Sequence, residues 1–162
     1  MATHLHLHGP FSHLDGASSA AKLAARAASL GQKALAITDH NSLSGIGEFA
    51  KACAQSGVRP IIGAEVTVAN PSGAPCHLTL LAPDQTGYRH LSQLISAAHL
   101  ERPRGQPMAS QEALAAHAPY LIGLSGCRRG EVASHLLAGR WNQAEEAASR
   151  LMGLFGRGRF FL

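Results

Sequence analysis

Histidine, carboxylate and cysteine side chains recur along this chain with spacings that would let them share a metal ion. His6 and His8 alternate within an apolar segment, so a β-strand there would place both imidazoles on one face, about 7 Å apart. Two imidazoles held in this way form half of a metal site. His4 continues the same alternation, so periodicity alone does not select the pair. The other candidate ligands along the chain are Asp15, His40, Glu65, His77 and Cys127.

Each of these residues has an ordinary explanation when it is taken singly. A lone histidine is commonly a surface or core residue, and an acidic residue after an apolar segment commonly caps a helix. A free cysteine is commonly buried as a small hydrophobic residue. The prediction of a metal site therefore depends on the whole set and on its position beside predicted strands.

The seven candidate ligands are of mixed type and are too many for one tetrahedral ion. Imidazole, carboxylate and thiolate together favour Zn²⁺, Mn²⁺ or Fe²⁺ over Mg²⁺ or Ca²⁺. Their number indicates two or three ions, with a carboxylate such as Glu65 bridging them. Paired ions activate water and neutralise a phosphoryl oxygen, so the predicted reaction is hydrolysis of a phosphate ester. The sequence has no P-loop, no serine nucleophile elbow and no HExxH motif that would indicate another chemistry.

The composition is that of one globular domain. The chain has 162 residues, of which 46% are hydrophobic, and this is long enough to bury a core. A net charge of +4 mildly favours a polyanionic partner. The three cysteines have no framework spacing and fit a reducing compartment. Since no segment reads as a signal peptide or a membrane span, we expect a cytoplasmic protein with no membrane partner.

Predicted strands and helices alternate along the chain, which favours a parallel sheet or a barrel. In such folds ligands gather at the carboxyl ends of strands, where His8, Asp15, His40, Glu65 and Cys127 are expected to lie. His77 begins its strand, so that strand should run antiparallel to its neighbours. Strands are predicted at 3–8, 34–38, 61–68, 76–81, 120–124 and 159–162, with a hairpin turn at 70–73. Helices are predicted at 20–30, 85–100, 110–117, 131–138 and 142–154, with a further helix, capped by Ser42 or Ser44, that ends at 55.

The candidate ligands lie in five segments of the chain, which are 6–17, 36–41, 61–65, 77–91 and 121–127. Taken in this order, the five segments resemble the motifs of the PHP (polymerase and histidinol phosphatase) family. Within that family the resemblance is closest to the domain that begins bacterial DNA polymerase III alpha subunits, and residues 94–98 and 127–130 favour the error-prone branch of that group.

The resemblance implies an α/β fold, a distorted TIM-like (β/α) barrel with a trinuclear metal centre. His6, His8 and Glu65 would hold one ion, Asp15 and His40 a second, and Glu65, His77 and Cys127 a third. Asp15, His40 and Glu65 are then the candidate catalytic residues, whereas Asp39 would orient a ligand and Ser12 would be a turn residue. The family's late Asp-x-His motif does not occur in this sequence. We therefore expect residues 1–162 to be the N-terminal part of a longer polymerase chain, with a barrel that is incomplete at its C-terminus. Without the late ligands, we expect these residues alone to bind metal but to show weak or absent phosphoesterase activity.

Three functional hypotheses remain open at this point. The first is a phosphoesterase that acts as a 3′–5′ exonuclease on DNA in replication or translesion synthesis, with the rest of the polymerase chain and replisome proteins as partners. The second is a metal-stabilised module that supports the polymerase without catalysis. The third is a free-standing small-molecule phosphatase of the histidinol-phosphate type.

Overall fold

The structure is a computed structural model that describes residues 2–71 and 73–162. Over these ranges, five strands form one mixed sheet in the order in which they occur along the chain. The strands are β1 (Ala34–Ile37), β2 (Arg59–Asn70), β3 (Gly73–Leu81), β4 (Ile122–Leu124) and β5 (Phe160–Phe161). The helices are α1 (Ala20–Ser29), α2 (Ile46–Gln55), α3 (Gln85–Leu100), α4 (Gln111–His117), α5 (Glu131–Leu137) and α6 (Trp141–Phe155), with a 3₁₀ turn at Ala118–Tyr120.

Side-chain caps explain where three of the helices begin. Ser19, Asp84 and Ser110 each accept a hydrogen bond from a backbone N–H in the first turn of α1, α3 and α4. After α1, Gly31 adopts a φ of 70°, which ends that helix as the sequence predicts. The predicted cap of α2 is wrong. Gly45 occupies the N-cap without a side-chain hydrogen bond, and Ser42 instead bonds to Ser44 within the preceding turn.

The sheet combines parallel and antiparallel pairs. β1 pairs with β2 in parallel, and β4 pairs with β5 in parallel. β3 runs antiparallel to both β2 and β4, which confirms the predicted hairpin and the predicted direction of the strand that carries His77. His77 does not begin this strand as predicted, because the hairpin ladder extends back to Gly73 and leaves His77 in the middle of β3. The sheet curls into part of a barrel, as expected for an incomplete TIM-like fold.

The predicted strand at 3–8 is not a strand in the structure. The segment is extended beside β1, where the Ala36 N–H donates to the His4 carbonyl and the Thr38 N–H donates to the Leu7 carbonyl. The Leu7 N–H, however, donates to the hydroxyl of Thr38 and not to a backbone carbonyl. Because a side chain takes the place of a ladder partner, the segment lies along the sheet without completing it.

The core has two parts, one on each side of the candidate ligands. The larger packs β2, β3 and β5 against α3, α4, α5 and α6, and it includes Leu80, Leu91 and Phe155. The smaller packs β1 against α1 and α2 around Phe49 and Leu35. Both parts border β2, so this strand is held from both ends of the sheet.

Candidate metal centre

Glu65 lies in the middle of β2, and not at the carboxyl end of a strand as the sequence suggested. β2 is long because it pairs first with β1 and then, further along, with β3. The chain beyond β1 continues this contact, since the Glu65 N–H donates to the Asp39 carbonyl and the Asn41 N–H donates to the Glu65 carbonyl. This pairing sets His40 directly beside Glu65.

Asn41 fixes the backbone that follows His40. Its φ of 47° is left-handed, a conformation that asparagine tolerates better than most residues. The side-chain oxygen of Asn41 accepts a hydrogen bond from the Thr67 N–H, and its amide nitrogen donates to the Thr67 hydroxyl. The turn after His40 is therefore tied to β2 two residues beyond Glu65.

His77 reaches Glu65 across the hairpin. It pairs with Thr67, which shares a sheet face with Glu65, so His77 is the diagonal neighbour of that carboxylate. Its Nδ1 contacts Glu65 Oε1. The loop after β4 then packs against His77, whose N–H donates to the Arg129 carbonyl, and places Cys127 Sγ 3.7 Å from His77 Nδ1.

Asp39 anchors the loop that carries His8 and Asp15. This carboxylate is buried, and its Oδ1 accepts hydrogen bonds from the Gly9 N–H at 2.7 Å and the Ser12 hydroxyl at 2.6 Å. The same loop closes where Gly16 packs against the Gly9 carbonyl so tightly that a Cβ would collide with it. Asp39 is thus committed to the loop and is absent from the groups of ligands below.

Ser12 sets the proton position on His8. Its hydroxyl hydrogen is donated to Asp39, and its oxygen accepts the His40 N–H at 3.1 Å. The ring Nδ1 of His8 also lies 3.1 Å from this oxygen, so Nδ1 must carry the proton and donate it. The Nε2 of neutral His8 then carries a free lone pair, and this tautomer is the form that binds a metal through Nε2.

Three overlapping groups of ligand atoms meet around Glu65 in the described part of the chain. In each group the ligand atoms lie within 4.8 Å of one another. The groups are His6, His8 and Glu65; His8, Asp15 and His40; and His40, Glu65 and His77. We call these six residues, His6, His8, Asp15, His40, Glu65 and His77, the metal centre.

The Glu65 carboxylate is the central unsatisfied group of the metal centre. It is 1% exposed, yet neither of its oxygens has a hydrogen-bond partner among the described residues. His6 Nε2 lies 2.7 Å from Oε2 and also lacks a hydrogen bond, and His40 Nδ1 lies 2.9 Å from Oε1. Since burying an unpaired carboxylate is costly, lone pairs that converge in this way fit a cation.

The electrostatics of the metal centre suit cation binding. Burial alone would raise the pKa of Glu65, but the adjacent His6 and His77 lower it well below its ordinary value, so the group is an anion. Burial and the nearby His40 lower the pKa of His8, which favours the neutral imidazole. A hydrogen bond with His40 Nε2 at 2.9 Å lowers the pKa of Asp15. The donor set is therefore ionised or neutral in the forms that ligate metals.

Cys127 stands apart from the other predicted ligands. It is close to His77 but belongs to none of the three groups. Burial raises the pKa of its thiol, so without a cation the group stays protonated. His4, which continues the alternation of His6 and His8, is exposed and lies outside the groups as well.

Ser12 is the residue whose role the sequence did not reveal. It is buried and contacts His8, Asp39 and the backbone of His40. A serine in the turn between His8 and Asp15 has no distinctive spacing, and Ser12 is separated from Asp39, which it contacts, by 27 positions in the sequence. Its position inside the first matching segment was the available signal.

Relatives of this chain are parts of much longer proteins. It is 45% identical to an error-prone DNA polymerase from Symbiobacterium thermophilum and 43% identical to a DNA polymerase III subunit alpha from Treponema pallidum. Each match covers 98% of this chain, whereas the chain spans only 16% and 14% of the two relatives. An amidohydrolase from Chromobacterium violaceum, solved with sulfate and no metal, superposes with a TM-score of 0.50 at 30% identity, over 60% of this chain and 33% of its own.

No helix in the described ranges has both the length and the apolarity to cross a membrane. The sequence model of the PHP domain family matches residues 4–162, which include all six residues of the metal centre. The chain therefore belongs to the PHP domain family.

Proposed function

We propose that this chain is a metal-dependent phosphoesterase domain. The observation that carries the proposal is the buried Glu65 carboxylate, which has imidazoles on several sides and no hydrogen bond among the described residues. Such a carboxylate fits a bridge between cations. The nitrogen and oxygen donors of the metal centre favour Zn²⁺ or Mn²⁺, in two or three sites.

The three groups indicate which residues would hold each ion. One ion would be held by His6, His8 and Glu65, a second by His8, Asp15 and His40, and a third by His40, Glu65 and His77. His8, His40 and Glu65 each belong to two of these groups, so neighbouring ions would share them. Cys127 would join the third if a cation removed its thiol proton. Bound divalent cations would supply Lewis acidity toward a phosphoryl oxygen and a water of lowered pKa.

The protein's own contribution to this reaction is orientation. Ser12 and Asp39 hold the His8 ring with its Nε2 free, and Asp15 holds the His40 ring through Nε2. These contacts fix the rings before a substrate arrives, which removes a reorganisation cost from the reaction.

We further propose that the substrate is DNA. The named relatives are DNA polymerases, so residues 1–162 would be the N-terminal domain of a polymerase III alpha-type chain, with the remainder of that chain and replisome proteins as partners. A 3′–5′ exonuclease in replication or translesion synthesis is the activity that suits this setting. A DNA substrate and three free cysteines fit a cytoplasmic location.

A metal-stabilised structural role is the second candidate. The metal centre joins the N-terminal segment, the turn after β1, β2 and the middle of β3, so cations there would cross-link four segments of the fold. This role needs the same ligands but no turnover. Nothing in the geometry favours the small-molecule phosphatase hypothesis.

Hydrolysis separates the two candidates. The protein, loaded with Zn²⁺ or Mn²⁺, is assayed on bis(p-nitrophenyl) phosphate and on single-stranded DNA, beside Glu65→Gln. A phosphoesterase hydrolyses both substrates, and Glu65→Gln abolishes the activity. Full metal loading with no hydrolysis of either substrate, both by residues 1–162 and by a longer chain that restores the late Asp-x-His motif, would refute the catalytic role and leave the structural one.

A further inference from the structure

A polar cleft of about 730 Å³ opens beside His40 and His77 of the metal centre. Serine, asparagine, glutamine, histidine and arginine side chains line it together with a few apolar ones, and no aspartate or glutamate does. The residues that matter here are Phe11, His13, Ser42, His99, Gln106 and Arg129. A cleft with hydrogen-bond donors and no carboxylate is complementary to an anion.

The opposite side of the metal centre is different. His6 borders a larger cavity of about 1040 Å³, whose walls are mostly aliphatic, including Ile62, Leu81 and Leu124. Its lining includes one basic residue, Arg59, but also the carboxylate of Asp84, which would repel a phosphate. An anionic substrate is therefore better matched to the polar cleft than to this apolar cavity.

Arg129 is the cation of the polar cleft. Its side chain is exposed and has no carboxylate partner among the described residues, although its backbone is fixed. The Arg129 carbonyl accepts the His77 N–H at 3.0 Å, and its own N–H donates to Cys127 Sγ at 3.4 Å. The guanidinium therefore projects from a backbone that is bonded directly to a ligand of the metal centre.

Phe11 supplies an aromatic surface at the rim of the polar cleft. Its ring lies against Gly45, where a Cβ would come within 2.6 Å of a ring carbon, and yet the residue is 37% exposed. The far wall is held by His99, whose Nε2 donates to the Asn41 carbonyl at 2.8 Å. An aromatic ring and a cationic side chain that line one cleft are the combination that binds single-stranded nucleic acid.

We propose that the polar cleft binds the nucleotides of a single strand that flank the scissile phosphate. Arg129 contacts a neighbouring phosphate, and Phe11 stacks on a base. This assignment rests on the proposed phosphoesterase function and names its substrate class as a single-stranded oligonucleotide and not a small phosphomonoester. It makes Arg129 and Phe11 binding residues of the strand, outside the set of metal ligands.

The matched pair Arg129→Ala and Arg128→Ala tests the cleft, because Arg128 is the exposed neighbour that does not line it. The metal-loaded protein is titrated with a short fluorescent oligothymidylate whose linkages are phosphorothioates. We expect Arg129→Ala to weaken binding about tenfold and to reduce the slope of log K against log salt by about 0.7, as for one lost phosphate contact. Arg128→Ala should leave both unchanged, Arg129→Lys should restore most of the binding, and Phe11→Leu should weaken it without changing the salt slope.

The metal content of each variant is measured in parallel and should equal that of the wild type. Equal losses in Arg128→Ala and Arg129→Ala would overturn the proposal, because they would indicate a diffuse basic surface, and so would the absence of oligothymidylate binding by the wild type. A wild type that binds through Arg129 but cleaves no unmodified strand would refute the proposed catalysis and leave the cleft assignment standing. An Arg129→Ala variant that cleaves the unmodified strand as well as the wild type does, with an unchanged KM, would refute the cleft assignment alone.

Discussion

His90 and His117 approach each other as closely as the groups of the metal centre do, but their surroundings are different. Their Nδ1 atoms lie 2.9 Å apart, and the ring of Tyr120 stacks on His90 at 3.7 Å. One neutral imidazole donates its N–H and the other accepts it, so this pair is complete without a cation. In the metal centre the distances are similar, but buried Glu65 has no hydrogen bond among the described residues.

The comparison shows that proximity of histidines does not by itself indicate a metal site. The decisive feature is a buried anion towards which several free lone pairs converge. Around His90 no carboxylate takes part in the contact, and the rings satisfy each other. Each of the following predictions acts on one of the two, either the metal centre or the pair formed by His90 and His117.

Glu65→Gln should have the largest effect, because it removes the negative charge at the middle of the metal centre. We expect metal affinity to fall more than about a hundredfold, which exceeds the usual cost of losing a residue that merely orients a ligand. Metal content after dialysis, measured by mass spectrometry of the elements, checks this. His117→Gln is the control and should retain the full metal content; equal losses in both variants would contradict the assignment of the site.

Chelation should destabilise the protein by removing cations from the metal centre, and it should not act on His90 and His117. Metal that binds only the folded form at about a hundredfold excess over Kd adds about 2.7 kcal/mol to the free energy of unfolding. For a chain of this length that corresponds to a fall in Tm of about 5 to 10 °C on adding EDTA, reversed by Zn²⁺ or Mn²⁺. A thermal denaturation curve that EDTA leaves unchanged in the metal-loaded wild type would exclude a stabilising cation.

Around the metal centre, the position of a histidine in the fold should matter more than its spacing along the sequence. His8→Ala removes a ligand and should lower the number of bound ions, whereas His4→Ala, on an exposed residue outside the groups, should not. Ser12→Ala frees the His8 ring and should weaken metal binding about tenfold, without changing the number of ions. Calorimetric titration with Zn²⁺ measures both quantities, and equal effects of His4→Ala and His8→Ala would show that the register is wrong.

The pair formed by His90 and His117 should make the free energy of unfolding depend on pH, and this is the smallest of the expected effects. Burial, and then the nearby His90, lower the pKa of His117 below its ordinary value. The folded form therefore binds fewer protons than the unfolded form once the pH falls below about 6.5, so acidification through that window lowers the free energy of unfolding. His117→Gln should lose less stability over the same range in urea denaturation of the metal-free protein. If the two curves are parallel, the pair does not titrate as described.

The sequence predicted the local elements well because their signals are local. The bounds of α3 match the prediction at both ends, and α4 begins after Ser110 as expected, since a cap and a helical repeat are written within a few residues. The segment at 3–8 was mispredicted as a strand. Its alternation is real, but the side chain of Thr38, some thirty residues away, takes the ladder position at Leu7.

The types and order of the candidate ligands were determined by the sequence by itself, and so was the family to which they point. What it could not determine is which of them converge, because that depends on pairing between distant segments. The register of β1 on β2 places His40 beside Glu65, and the hairpin brings His77 to the same carboxylate. Cys127 lies close to His77 but belongs to none of the three groups of ligand atoms. Burial and unsatisfied lone pairs are properties of the packed chain, so only the tertiary structure distinguishes the metal centre from the pair at His90 and His117.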